Sequence, residues 1–210
     1  MSPSESHELL LETTLELIDS LEPLLPSTFS GAAGAAHRAR AAAPRAAGGA
    51  AARWLPVLRV VPQLAAPVLP VHRLLIESLR RAAPELEWRQ TYTDLEVDRG
   101  FLENYAWTEL IGPRAGHPAA ELAVGLLLLG PHTTYPPHRH EAEEIYLPVS
   151  GAAEWCAGQG VWTRRAPGAL IHHAREEIHA MRTAAEPLLA LYLWRSRDLG
   201  QQASLVRGVA

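Results

Sequence analysis

Apolar residues recur at helical spacing in the first part of the chain and fall into short blocks between glycines and prolines in the second. Leu9, Leu10, Leu17, Ile18, Leu21 and Leu24 follow the cap-forming start Ser4-Glu5-Ser6, which predicts a helix to about Glu22 that Pro23 and Pro26 stop. Leu74, Leu75, Ile76 and Leu79 place a second amphipathic helix over residues 71–83, ended by Pro84 and preceded by breaks at Pro56, Pro62, Pro67 and Pro70. Between the two, residues 31–52 are Ala, Gly and Arg with little else. Alanine favours helix, but so few large apolar groups offer no broad face to pack, and the segment reads as a low-complexity helix or a linker.

From Trp88 the pattern changes to short runs at residues 90–93, 105–111, 122–129, 144–149, 152–157, 161–165, 169–173, 178–182 and 188–194, separated by turn residues. That spacing describes a small antiparallel barrel or sandwich. The chain thus divides into a helical region, 1–86, and a β-rich domain, 87–210. The runs at 122–129 and 188–194 are apolar on both faces, which requires a second layer outside the sheet, either the helical region or a second copy of the chain.

Composition narrows the function. The 210 residues carry 19 basic and 23 acidic side chains, a net charge of −4, and 48% hydrophobic residues, so there is a full core and no basic excess for nucleic acid. No apolar run approaches the ~20 residues of a membrane span. Cys156 is the one cysteine and cannot form an internal disulfide. Every basic residue is Arg, which excludes a lysine Schiff base or a phosphate-binding P-loop lysine. Glu5, Glu8, Glu12 and Glu16 argue against a transit peptide in the Arg- and Ala-rich first part, so a cytoplasmic protein is expected. Of the 10 histidines, His132, His138, His140, His172, His173 and His179 crowd one stretch.

The segment from Tyr135 to Tyr146 carries the chemistry. On an unbroken strand, residues an even number apart share a face, which puts His138, His140, Glu144 and Tyr146 on one side and Ile145, Leu147 and Val149 on the other. Two imidazoles, a carboxylate and a phenol are costly to bury unless something binds them, and a divalent cation does so. Three ligands from one hairpin leave positions open for a fourth and for substrate. The apolar stripe, with the doubly apolar strands, suggests a homodimer.

His138-x-His140-x3-Glu144-x6-Gly151, followed by Pro167-Gly168 and, eleven residues later, His179, resembles the two motifs of the cupin superfamily. The resemblance implies a double-stranded β-helix, or jelly-roll, barrel with His179 as the remaining metal ligand. Ala169 stands where the second motif usually has an acid. The string Tyr135-x2-His138-x-His140-x3-Glu144-x-Tyr146, the helical region ahead of the barrel, and the endings His179-Ala180-Met181-Arg182 and Leu189 to Trp194 are similar to the dimethylsulfoniopropionate (DMSP) lyase family of cupins. That likeness implies one metal held by His138, His140, Glu144 and His179, Tyr146 as the catalytic base and Tyr135 in the substrate pocket. It implies a carbon–sulfur lyase that releases dimethyl sulfide and acrylate from a small sulfonium carboxylate. The sulfonium would meet aromatic faces, with Tyr135, Trp107, Tyr192 and Trp194 as candidates. His172 and His173 read as structural or pocket-edge residues. The ligand set accepts Zn, Fe, Mn, Co or Ni, and it leaves open an Fe(II) cupin oxygenase, a related cupin acting on another small carboxylate, or a metal-containing binding module without catalysis.

Overall fold

The computed structural model describes residues 3–42, 53–65, 69–158 and 160–208. Among the described residues the α-helices come first: α1 (Pro3–Leu21), α2 (Ala32–Ala41), α3 (Pro70–Ala82) and the short α4 (Arg99–Glu103). Helix α1 buries Leu10, Leu11, Leu17 and Ile18, and the chain tightens into a 3₁₀ turn at Glu22–Leu24, which leaves Leu24 67% exposed rather than on the packed face. Pro70 opens α3 at a position where its missing N–H costs nothing, and Leu75, Ile76 and Leu79 face the core while Leu74 is half exposed.

The Ala-rich segment packs more closely than its lack of large side chains predicts. Ala32, Ala33, Ala36 and Ala39 of α2 are buried against α1 and the strands below, because side chains this small let backbones approach. The Glu22 carboxylate accepts from the free N–H groups of Gly31 (2.6 Å) and Ala33 (2.9 Å) at the start of α2, where the helix dipole favours an anion. Residues 43–52 of that segment, and Pro67, lie outside the described residues.

The β-rich part is a jelly-roll barrel whose strands among the described residues are β1 (Tyr105–Ile111), β2 (Leu122–Leu129), β3 (Thr134–Arg139), β4 (Glu143–Ser150), β5 (Ala153–Ala157), β6 (Thr163–Arg165), β7 (Ile171–His173), β8 (His179–Thr183), β9 (Leu188–Arg195) and β10 (Ser204–Leu205). They form two antiparallel sheets in the orders β1-β2-β9-β4-β7 and β10-β3-β8-β5-β6. Residues 90–93 do not form the expected strand. Arg89 alone bridges to Trp107, and the chain then turns, with Glu96 accepting from Thr93.

The first sheet explains the doubly apolar runs. Leu122, Val124, Leu126 and Leu128 of β2, with Leu189, Leu191 and Leu193 of β9, share one core with Leu10, Ile18, Leu75 and Leu79 of the helices. The alternate residues Leu127, Leu129, Leu188, Ala190 and Tyr192 face the barrel interior in a second core. Ile145, Leu147 and Val149 also lie in the helix-covered core. The apolar stripe that suggested a homodimer is therefore satisfied within one chain, and that argument for a second copy lapses. The shared core also ties residues 1–86 to the barrel, so the change from helix to strand near residue 86 is not a gap in packing.

Candidate metal centre and pocket

Strands β3 and β8 are neighbours, and His138 pairs directly with His179 across them. His140 lies one residue past the end of β3, and Glu144 and Tyr146 belong to β4 in the opposite sheet. The expected single hairpin is thus a crossing: the chain bends at Glu141–Ala142 and changes sheet, so the two halves of the motif face each other across the barrel instead of sharing a strand face. Strand β3 is irregular as well. Its register slips between Tyr135 and His138, where Pro136 and Pro137 lack donors, and the slip turns both Tyr135 and His138 inward despite their odd spacing. Their rings stack at 4.0 Å with 9° between planes.

The imidazoles of His138, His140 and His179 are buried, with ligand nitrogens within 4.8 Å of one another. In each ring Nδ1 donates to a nearby backbone carbonyl: Pro136 (2.9 Å), Ala142 (2.8 Å) and Glu177 (2.9 Å) respectively. Three backbone bonds therefore orient the three rings through Nδ1–H and turn each Nε2 into the site, where a neutral imidazole offers its lone pair. Glu144 Oε2 lies 2.9 Å from His140 Nε2 and 3.3 Å from His179 Nε2. His179 Nε2 makes no hydrogen bond of its own despite full burial. A lone pair of a neutral ring facing that carboxylate is relieved by a proton, as the His140–Glu144 hydrogen bond allows, or by a cation lying among the donors. The donor set, neutral imidazole nitrogen with one carboxylate, fits a divalent transition metal.

Electrostatics agree. Burial and the neighbouring His179 hold His138 well below the ordinary imidazole range. Burial opposes charge on His140 too, but Glu144 outweighs it and raises this imidazole. Burial alone would raise the Glu144 carboxyl; the contacts with His140 and His179 override it and hold it ionised far below the usual carboxylate range. Its other oxygen, Oε1, accepts from the Trp194 indole N–H at 2.6 Å.

A cavity reaches the cluster at Glu144, and Tyr135, Trp107, Tyr192 and Trp194 all line it together with Glu144 and Tyr146. Tyr135 belongs to an aromatic group: its hydroxyl lies 3.2 Å from that of Tyr92 and 3.3 Å from that of Tyr105. Trp107 is committed at both ends, its indole N–H to Thr91 (3.1 Å) and its ring 5.8 Å from the Arg114 guanidinium. Burial first and the Glu144 charge second push the Tyr146 phenol well above its ordinary pKa.

His172 and His173 point to opposite sides. The former is exposed and pairs with Glu143 at 2.6 Å. His173 is buried, stacks on His179 at 4.0 Å, and has no hydrogen bond at either nitrogen. Sequence reasoning missed Tyr105, Glu109 and Arg114, which also line the cavity. The parity of β1 held the signal for two of them, since Tyr105 and Glu109 share a face with Trp107.

Among the described residues no helix is long and apolar enough to cross a membrane. A family model described as dimethylsulfoniopropionate lyase matches residues 5–190. The lyase DddQ of Ruegeria pomeroyi is 34% identical over 109 residues, 52% of this chain and 54% of that protein. The putative lyase DddL of Cereibacter sphaeroides is 35% identical over 123 residues, 58% and 50% of the two chains. The match thus spans about half the length of these relatives. A chain from the crystal structures of the DMSP lyases RdDddP and RnDddQII superposes with a TM-score of 0.78 at 30% identity, over 98% of this chain and all of that one. The DddQ crystal structure from Ruegeria pomeroyi shares the fold, with a TM-score of 0.73 at 24% identity over 94% of this chain and 96% of that one. With histidines on the paired strands β3 and β8 and a helical layer over the barrel, this chain belongs to the dimethylsulfoniopropionate lyase family.

Proposed function

We propose that this protein is a metal-dependent carbon–sulfur lyase that eliminates dimethyl sulfide from dimethylsulfoniopropionate and leaves acrylate. The observation that carries the reading is the convergence of the three Nε2 atoms and Glu144 beside the Tyr146 phenol. His138, His140, His179 and Glu144 would hold the cation. Once bound, a divalent cation supplies Lewis acidity, which withdraws charge from a nearby carboxylate and favours an ionised phenol.

The chain's own groups do the rest. Tyr146 is the base that takes the proton from the carbon next to the substrate carboxylate. The electron pair of that C–H bond becomes the new carbon–carbon π bond, the C–S bond breaks, and its pair leaves on sulfur as neutral dimethyl sulfide. No general acid is needed, because the leaving group departs uncharged. Burial and Glu144 keep the phenol protonated in the absence of a cation, which makes the base conditional on the metal. Tyr135 and the walls at Trp107, Tyr192 and Trp194 enclose the substrate and exclude water.

The test is to supply the metal-loaded protein with the sulfonium substrate under anaerobic conditions and to assay dimethyl sulfide and acrylate, with Tyr146→Phe alongside. Stoichiometric release of both products without oxygen, lost in Tyr146→Phe at unchanged metal content, is the expected result. Turnover that requires dioxygen would point to an oxygenase, and full activity in the variant would remove Tyr146 as the base.

A further inference from the structure

Glu109 is a second carboxylate on the cavity wall, away from the histidines. Residues paired in register run across the first sheet as Glu109 on β1, Gly125 on β2, Tyr192 on β9 and Tyr146 on β4. At the ordinary strand spacing, three steps separate Glu109 from Tyr146 by roughly 14 Å between backbones. Gly125 has no side chain to stand between them. A Cβ there would lie 2.4 Å from the Tyr192 hydroxyl, so the Tyr192 ring lies over the glycine and reaches toward β1, where its hydroxyl meets the Thr108 carbonyl at 3.4 Å. The row therefore runs from the phenol next to the candidate metal ligands, along the Tyr192 ring, to a buried carboxylate.

The charge on Glu109 is only partly compensated. Its side chain is 2% exposed. Oε1 accepts the backbone N–H groups of Arg114 (2.5 Å) and Ala115 (3.2 Å), while Oε2 has only the Arg114 guanidinium at 3.4 Å. That guanidinium makes its shorter bonds to the carbonyls of Leu199 (2.7 Å) and Gly200 (3.0 Å). Burial raises the Glu109 carboxyl even against these donors, the direction expected of an anion short of partners.

We propose that Glu109 is a specificity-determining residue that selects substrates with a cationic end: Oε2 faces the onium group while the carboxylate of the same molecule lies at the histidine end of the cavity. The inference rests on the substrate class proposed above. Aromatic walls alone favour a cation only modestly over a neutral branched group of equal size, and the added carboxylate widens that discrimination. Arg114 tunes the effect, since its guanidinium offsets part of the Glu109 charge.

Calorimetry on the metal-loaded protein tests this without turnover. The two ligands are the trimethylammonium analogue of the substrate and its neutral isostere, with carbon in place of nitrogen. Wild type should bind the cation roughly tenfold or more tightly than the isostere. Glu109→Gln, which keeps an oxygen for the two backbone donors, should lower the ratio severalfold, to the preference of the aromatic faces, and Arg114→Gln should raise it. A merely structural role would lower both affinities together and leave the ratio alone. An unchanged ratio in both variants, or a shift in the same direction in both, overturns the proposal. If Glu109→Gln does not fold, the direction of the Arg114→Gln shift decides. Charge discrimination without release of dimethyl sulfide would overturn the lyase reading and leave Glu109 in its role; failure of wild type to bind either ligand would overturn both.

Discussion

Trp194 holds Glu144 in place: its indole N–H donates to Oε1 at 2.6 Å, while its ring packs 4.3 Å from that of His140. One side chain thus orients the carboxylate and backs the imidazole that touches it. Trp194→Phe keeps an aromatic ring and loses the donor. Metal affinity, measured by competition with a chelator, is expected to fall about ten- to a hundredfold, the usual cost of losing a group that orients a ligand. Equal affinity would mean that His140 and His179 alone fix Glu144.

Removing the metal should destabilise the protein as well as silence it. Without a cation, three Nε2 atoms and the Glu144 carboxylate remain crowded in a buried site, with the His140–Glu144 hydrogen bond as partial compensation. A ligand at a hundred times its Kd adds about 2.7 kcal/mol to the folded state. Thermal unfolding after chelation should show a lower Tm that recovers on adding Zn, Fe, Mn, Co or Ni, and the ion giving full activity identifies the working metal. His179→Ala should abolish the metal-dependent rise. An apo Tm equal to the holo value would count against a structural role for the ion.

How much of this was legible in the chain depends on whether a feature was local. Strands β1 and β2 were readable to the residue, since flanking turn residues bound each run, and the ligand candidates followed from motif spacing. The strand parity invoked for His138 to Tyr146 does not describe how these residues meet. His138 and Glu144 face each other because the chain changes sheet between them, and only the tertiary arrangement shows that. The 90–93 run failed because Thr93 and Glu96 close a local turn that competes with sheet pairing. Burial of α2 was hidden because small residues pack by closeness, which no hydrophobic scale records.

Gly125 should not tolerate alanine. A Cβ there would lie 2.1 Å from the Thr108 carbonyl oxygen and 2.4 Å from the Tyr192 hydroxyl, and the carbonyl is backbone that cannot swing aside. Gly125→Ala is expected to cost about 1–3 kcal/mol in denaturant unfolding, the range for overpacking, and to raise KM by displacing Tyr192 within the cavity. Wild-type stability and KM would mean that β1 and β2 can separate locally without consequence.

The helices and barrel should unfold together. Leu75 of α3 is fully buried in the core shared with β2, β4 and β9. Leu75→Ala should destabilise the whole molecule by about 2–5 kcal/mol, with helix loss by circular dichroism coinciding with barrel loss by tryptophan fluorescence. Separate transitions, with the barrel midpoint unmoved, would show that the helical layer is an appendage.

Acid should destabilise the apoprotein through His173. Burial, with a smaller contribution from His179, lowers this imidazole to about 3, whereas in the unfolded chain it titrates near the ordinary value of 6.5. The folded state therefore refuses a proton that the unfolded state accepts below pH 6.5. The associated stability is complete above that pH and is lost progressively as pH falls toward 3, at up to about 1.4 kcal/mol per pH unit. His138 is depressed by burial in the same direction and adds to the slope. His173→Phe removes one such group and two buried nitrogens that lack hydrogen bonds. Urea unfolding between pH 7 and pH 5 should accordingly show a shallower decline in the variant, with the largest gain over wild type at the acid end. Parallel curves for the two proteins would mean that His173 takes up its proton inside the folded barrel, with Glu177, 3.5 Å from its Nδ1, as the nearby carboxylate able to stabilise the charge.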